Sequence, residues 1–260
     1  MNELRDQAAN RDFYRRDYDA DPTLDRGILA DYAIHYGRFA GKFGVTPNAR
    51  VLDVGSGKGY WLRQVTPQVA VAVGLDLSQP SLVTARRHVA ARFLAGDVMR
   101  LPFRENSFDV AFSFEVFEHT LDPAAAVAEA YRVLKPGGAL ILLQQFRLDD
   151  YQKLYESLSR LKARLLRRPP RQFVPLEALH INQLRPDEWC TVLKARGFET
   201  VEAIALSVLP PFFYVLPRLR NRFYDMPVLT PLDRWLCKWQ WLTKWLAVSF
   251  FYVARKPSES

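Results

Sequence analysis

The chain has 260 residues and a formal net charge of +8, and nearly half of it is apolar. That length suits one α/β domain, alone or with an appended lobe, and the apolar share is enough for a real core. No apolar run reaches the roughly 18–20 uncharged residues of a membrane span, and the charged residues 1–26 lack the apolar stretch of a signal peptide. Two cysteines, Cys190 and Cys237, match no metal or disulfide spacing and fit a reducing compartment. A soluble, cytoplasmic protein is expected. The charge is uneven: residues 1–146 carry 17 basic and 17 acidic residues, residues 147–260 carry 19 and 11. The basic half could be a solvated face, or could meet an acidic substrate, an anionic membrane or nucleic acid.

In chain order, residues 26–43 read as a helix, with Ile28, Leu29, Tyr32, Ala33, Tyr36 and Phe39 at helical spacing. Pro47 and Asn48 turn the chain into a short buried strand, "ARVLDVG". "YWLRQVT" is a helix, "VAVAVGLDLS" a second strand, and "SLVTARRHVA" a helix capped by Ser78 with Pro80 in its first turn. "ARFLAGDV" and "FDVAFSF" are the third and fourth strands. "DPAAAVAEAYRVLK" is a helix capped by Asp122 and stopped by "PGG", and "ALILLQQF" is the fifth strand. Near-continuous apolar strands alternating with helices of about ten residues predict a parallel sheet covered on both faces. A basic, helical insertion follows Phe146; then "RPDEWCTVLKARG" and "FETVEAIAL" resume the rhythm as helix and strand. A Pro- and aromatic-rich insertion leads to a closing strand, "WLAVSFFYVARK". The expected division is 1–45 helical cap, 46–146 core, 147–180 basic insertion, 181–206 core continuation, 207–244 aromatic insertion and 245–260 final strand and tail.

"VLDVGSGKGY" follows a strand and opens a helix, at the end of a parallel sheet where ligands bind. Gly55, Gly57 and Gly59 remove side chains there and let backbone approach a ligand. Tyr60 stands where a dinucleotide fingerprint needs glycine, and Lys58 does not complete a P-loop. Asp53, Asp76 and Asp97 fall at three successive strand ends. An acid at Asp76 can accept hydrogen bonds from ribose hydroxyls, and one at Asp97 from an adenine amino group. The implied ligand is an adenosine with no required phosphate.

"VLDVGSGKGY", "GLDLS", "GDVMRLPFRENSFDVAFSFEVFEH" and "AYRVLKPGGALILL" together resemble the successive motifs of class I S-adenosylmethionine-dependent methyltransferases, densely over residues 50–146 and more loosely over "LRPDEWCTVLKARGFETVEA". The resemblance implies an α/β, Rossmann-like, doubly wound sheet of seven strands, mostly parallel with a final antiparallel strand, plus helical insertions. It implies S-adenosylmethionine as cofactor, with Asp53, Gly55, Ser56, Gly57, Asp76, Leu77, Asp97, Val98 and Phe114 around it. Gly55 and Gly57 would approach the cofactor, Asp76 would bind the ribose, and Asp97 with the Val98 backbone would read the adenine.

"SFEVFEHT" ends the fourth strand where the methyl group should lie. If residues 115–119 begin a helical turn, Glu115, Glu118 and His119 share one face. Three readings stay open: a loop that shapes the pocket; His119 as general base, with Glu118 as a catalytic partner; and a divalent metal site. "ExxEH" resembles the stretch in ubiquinone-pathway O-methyltransferases and in plant-type small-RNA 2′-O-methyltransferases. The latter resemblance implies a metal held with a later histidine, here His180.

The basic insertion favours an anionic acceptor or a lipid surface. In "DRWLCKWQWLTKW", Trp235, Trp239, Leu242 and Leu246 fall on one helical face with Lys238 and Lys244 nearby, which fits a membrane interface, the chain's own core or a partner subunit such as a second copy. The expected partner is a small-molecule, glycan or lipid-linked substrate, with peripheral membrane contact and a homodimer as further candidates. Nucleic acid is disfavoured because no recognisable binding module accompanies the basic stretch. The leading function is O-methylation of a hydroxyl; the alternatives are N-methylation of a small amine and a non-catalytic, cofactor-binding module at a membrane.

Overall fold

Runs of apolar residues such as Val51–Val54 and Val110–Phe114 are covered on both faces, as a parallel sheet between helical layers requires. The computed structural model describes residues 45–145, 184–207 and 249–258, with scattered positions at 156–167, 182 and 232–247. The expected helix over 26–43 and most of both insertions lie outside the described residues.

Strands β1 (Arg50–Val54), β2 (Val71–Asp76), β3 (Arg92–Ala95), β4 (Phe108–Phe114), β5 (Leu134–Gln145), β6 (Thr200–Ser207) and β7 (Ser249–Arg255) form one sheet in the order β3-β2-β1-β4-β5-β7-β6. β3 to β5 run parallel, and β7 inserts antiparallel between β5 and β6. The chain builds outward from β1 to β3, then crosses back to β4. The reversal falls between β1 and β4, and the region beyond the carboxyl ends of the strands at such a point is the usual ligand position in such sheets.

Among the described residues, four helices cover the sheet: α1 (Tyr60–Val65), α2 (Gln79–His88), α3 (Pro123–Val133) and α4 (Pro186–Ala195). On one face Ala126, Val127 and Ala130 of α3 and Trp189 and Leu193 of α4 pack on Leu52, Ala111, Leu142 and Tyr252. On the other, Trp61 of α1 packs on Phe112, Phe114 and Phe251. Full burial of each such large side chain contributes about 1.5–3 kcal/mol. The caps are those expected from the sequence: Ser78 Oγ accepts from Ser81 N at 3.3 Å, and Asp122 Oδ1 from Ala125 N at 2.9 Å.

α3 ends at Val133, two residues before the expected Lys135, because Leu134 already pairs with Phe108 of β4. The C-terminal segment secures this corner. Lys256 Nζ donates to Leu134 O (2.7 Å) and Tyr131 O (3.0 Å), placing a cation on the last carbonyls of the helix.

Candidate active site

The turn after β1 is held to β2 by the chain itself: Gly55 N and Ser56 N both donate to Leu75 O, at 2.7 and 2.9 Å. Gly55, Gly57 and Gly59 all take positive φ, but the space beside them differs. A Cβ on Gly55 would fall 2.3 Å from Val116, and one on Gly59 would fall 3.1 Å from Phe93 and Val89. A Cβ on Gly57 would meet nothing within 4 Å. The expectation of three glycines open to a ligand narrows to Gly57; the room that Gly55 leaves is taken by Val116, from the turn after β4.

Asp76, at the end of β2, is fixed by two main-chain donors. Gly57 N reaches Oδ2 and Ser78 N reaches Oδ1, both at 2.7 Å. Leu77, beside it, is half-buried. Asp53 sits beneath at 3% exposure. Burial, and then the charge of Asp76, push the Asp53 carboxyl up to about 8. Asp97 lies two residues past the end of β3 rather than on it. Its Oδ1 accepts from Met99 N at 2.9 Å, and the neighbouring Val98 is buried. This loop is clamped to α3: Glu129 Oε2 accepts from Leu101 N at 2.7 Å, and Arg132 donates to Phe103 O and Leu101 O. Hydrogen bonding from the Arg132 guanidinium is the main reason the Glu129 carboxyl is held below its usual range.

Beyond β4 the chain departs from the expected helical turn. Glu115 takes a left-handed φ of 55°, and only Phe117–His119 form a 3₁₀ turn. Glu115, Glu118 and His119 therefore do not line up at i, i+3, i+4 on one face. Glu115 is exposed and Glu118 is 3% exposed. Among the described residues no group of three or more His, Cys, Asp or Glu could hold a metal ion; His180 lies outside them. The cause is packing: Phe117 is fully buried against the α3/α4 layer and Val116 fills the niche beside Gly55, which fixes the turn's rotation.

The Glu118 carboxyl is turned into the protein. Burial, and then the Glu115 charge, raise it well above the usual carboxylate range. Gln144 of β5 acts in the opposite direction as a nearby hydrogen-bonding group, but without hydrogen-bond geometry. Both Glu118 oxygens, both Gln144 amide atoms and Ser113 Oγ of β4 are buried with no hydrogen-bond partner among the described residues. Ser113 pairs with Leu142, so Ser113 and Gln144 stand on the same face of the sheet. Sequence reasoning missed Ser113, Gln144 and Val116. A serine and a glutamine inside otherwise apolar strands, "FDVAFSF" and "ALILLQQF", were the available signal for the first two. Phe114, proposed to flank a cofactor, has its side chain in the core, 4.8 Å from Trp61 and 5.5 Å from Phe251 between ring centroids. Ser56 Oγ is buried without a partner among the described residues.

Comparison with known proteins agrees with this layout. Residues 52–142 match the family described as a methyltransferase domain. The chain is similar to a ubiquinone/menaquinone biosynthesis C-methyltransferase of Dinoroseobacter shibae, 41% identical over 42% of this chain and 48% of that protein. It is also similar to a sterol 24-C-methyltransferase of Schizosaccharomyces pombe, 33% identical over 45% of this chain and 32% of that one. The match spans half or less of the length of these two relatives. A Haemonchus contortus phosphoethanolamine N-methyltransferase, solved with S-adenosyl-L-methionine, shares the fold with a TM-score of 0.63 over 96% of this chain and 60% of that one, at 21% identity. The strand order, the glycine turn and the match over residues 52–142 make this core similar to the class I S-adenosylmethionine-dependent methyltransferases.

Proposed function

We propose that the protein transfers a methyl group from S-adenosylmethionine to a hydroxyl of a small, glycan or lipid-linked acceptor. The observation that carries this reading is the carboxylate of Asp76, oriented at the tip of β2 by Gly57 N and Ser78 N, beside a glycine with open space over it. Such a cradle fits an adenosyl group: Asp76 would accept from the ribose hydroxyls, Asp97 and the Val98 main chain would meet the adenine, and Gly57 would let the backbone come close. Asp53, Gly55, Ser56, Leu77 and the Phe114 main chain would complete the wall. When bound, the cofactor supplies an already activated methyl on a sulfonium.

The remaining work belongs to the chain. It must align the acceptor beside residues 115–119, and His119 there would take the hydroxyl proton. Burial favours the neutral form of the Glu118 carboxyl, and in that form it would act as a hydrogen-bond donor rather than as a base. Residues 46–146 are assigned to the cofactor, and 1–45, 147–180 and 207–244 to choice of acceptor. A carbon acceptor is the second reading, favoured by the two C-methyltransferase relatives; it too would need a base at His119. The test is release of S-adenosylhomocysteine with candidate acceptors, with products analysed by mass for one added methylene unit. Cofactor binding with no turnover on any hydroxyl, amine or carbon acceptor would favour a non-catalytic module.

A further inference from the structure

Among the described residues, those within 235–243 are anchored from one side. Leu236, Cys237 and Leu242 pack against the apolar cluster that contains Trp189, Phe250 and Tyr252, and Thr243 is buried. The helical phase breaks at Cys237–Trp239, so Leu242 turns inward instead of joining Trp235 and Trp239 on the expected stripe. Three tryptophans are left outside: Trp235, Trp239 and Trp241 are 52%, 45% and 63% exposed. They touch one another edge-on, with centroids 5.4 Å apart for Trp235–Trp239 and 6.3 Å for Trp239–Trp241, so they make one patch rather than three scattered rings. Anchoring does not need them, since the inward residues supply it.

We infer that the Trp235–Trp239–Trp241 patch docks the protein on an anionic lipid surface. Tryptophan has an apolar body and one N–H, which suits the depth of lipid headgroups. Lys238, between Trp235 and Trp239 in sequence, is exposed. Residues 208–247 hold six basic and two acidic residues, and the whole net charge of +8 resides in residues 147–260. A negatively charged bilayer complements both properties. A second copy of this chain would set like charge against like, and an apolar protein groove would gain nothing from the cations. Among the described residues no helix is long and apolar enough to cross a membrane, so the contact is a surface one. The apolar cluster that supports the patch also holds Phe117, next to Glu118. The inference therefore deepens the lipid-linked reading of the acceptor, on which that link to the site rests.

The test is sedimentation of the full chain with vesicles of phosphatidylcholine alone and of phosphatidylcholine with phosphatidylglycerol, with tryptophan emission followed alongside. Wild type should bind the phosphatidylglycerol vesicles with a blue shift, bind less as salt rises, and bind phosphatidylcholine weakly. W235A/W239A/W241A should lose binding by at least about tenfold while keeping its affinity for S-adenosylhomocysteine. Lys238→Glu, which keeps the rings, should weaken binding only to the anionic vesicles, and it serves if the triple variant fails to fold. No wild-type binding to anionic vesicles overturns the inference, as does binding that ignores both variants or a dimer that shields the tryptophans. Vesicle binding without cofactor binding would instead sink the methyl-transfer reading and leave the docking intact.

Discussion

The tips of β1–β3 and the tips of β4–β5 solve different problems. On the first side the carboxylates are set by main chain: Asp76 by Gly57 N and Ser78 N, Asp97 by Met99 N, and the turn itself by Leu75 O. On the second side Ser113, Glu118 and Gln144 are more deeply buried than the half-buried Asp76 and Asp97, yet their polar atoms find no partner among the described residues. A buried polar group left unpaired costs roughly 1–3 kcal/mol, so the second side keeps polar capacity for something that arrives. Under the proposed function, the first side would be a fixed cofactor cradle and the second the wall that meets the acceptor.

The largest expected break in this contrast is Gly55→Ala. Its Cβ would overlap Val116, and its φ of 80° disfavours any side chain, so the glycine turn and the 115–119 turn should be pushed apart. Loss of stability by several kcal/mol is expected, about the scale of overpacking plus left-handed strain, together with loss of cofactor binding. Adding Val116→Ala should restore part of it, read by thermal unfolding. Gly57→Ala meets no atoms in the protein and should cost only about 1–2 kcal/mol of backbone strain, while hindering the ligand. If the two glycine variants behave alike, the assignment of the open face to Gly57 is wrong.

Asp76→Ala should weaken S-adenosylhomocysteine binding by about 1–3 kcal/mol, measured by calorimetry. On the proposed acceptor side, Glu118→Gln replaces a carboxyl whose neutral form burial favours by a neutral isostere. It should leave cofactor affinity unchanged and alter turnover far less than His119→Ala does; equal losses would give Glu118 an ionised role.

A separate effect is a pH slope. Asp53 is pushed up to about 8 in the fold from an ordinary value of 3.8. The folded state therefore holds a proton that the unfolded chain releases, and folding carries no penalty from this group below about pH 4. The penalty grows as pH rises and is complete above about pH 8. Asp53→Asn should raise the urea midpoint of the ligand-free protein more at pH 8.5 than at pH 4.5. A gain independent of pH would contradict the burial of its charge.

Much of this was legible in the sequence because it is locally encoded. Apolar runs, Ser78, Asp122 and the glycine turn each state their role within a few residues, and the sheet follows from their alternation. What was not legible depended on distant neighbours. Nothing near Gly55 says that Val116 will fill its niche. Nothing in "EVFEH" says that Glu115 will turn left-handed so that Phe117 can be buried. Likewise Leu242 fits a stripe with Trp235 only if the helix continues through Lys238, and it does not.

The account rests on an adenosyl site formed by Asp76 and the turn at Gly57. Calorimetric titration of S-adenosylhomocysteine into the wild type and Asp76→Ala, with exposed Asp187→Ala as control, tests it most directly. The expected result is one site per chain in the wild type and the control, weakened by about 5–150-fold in Asp76→Ala. Absence of binding to folded wild type, or equal affinity in all three proteins, would contradict it.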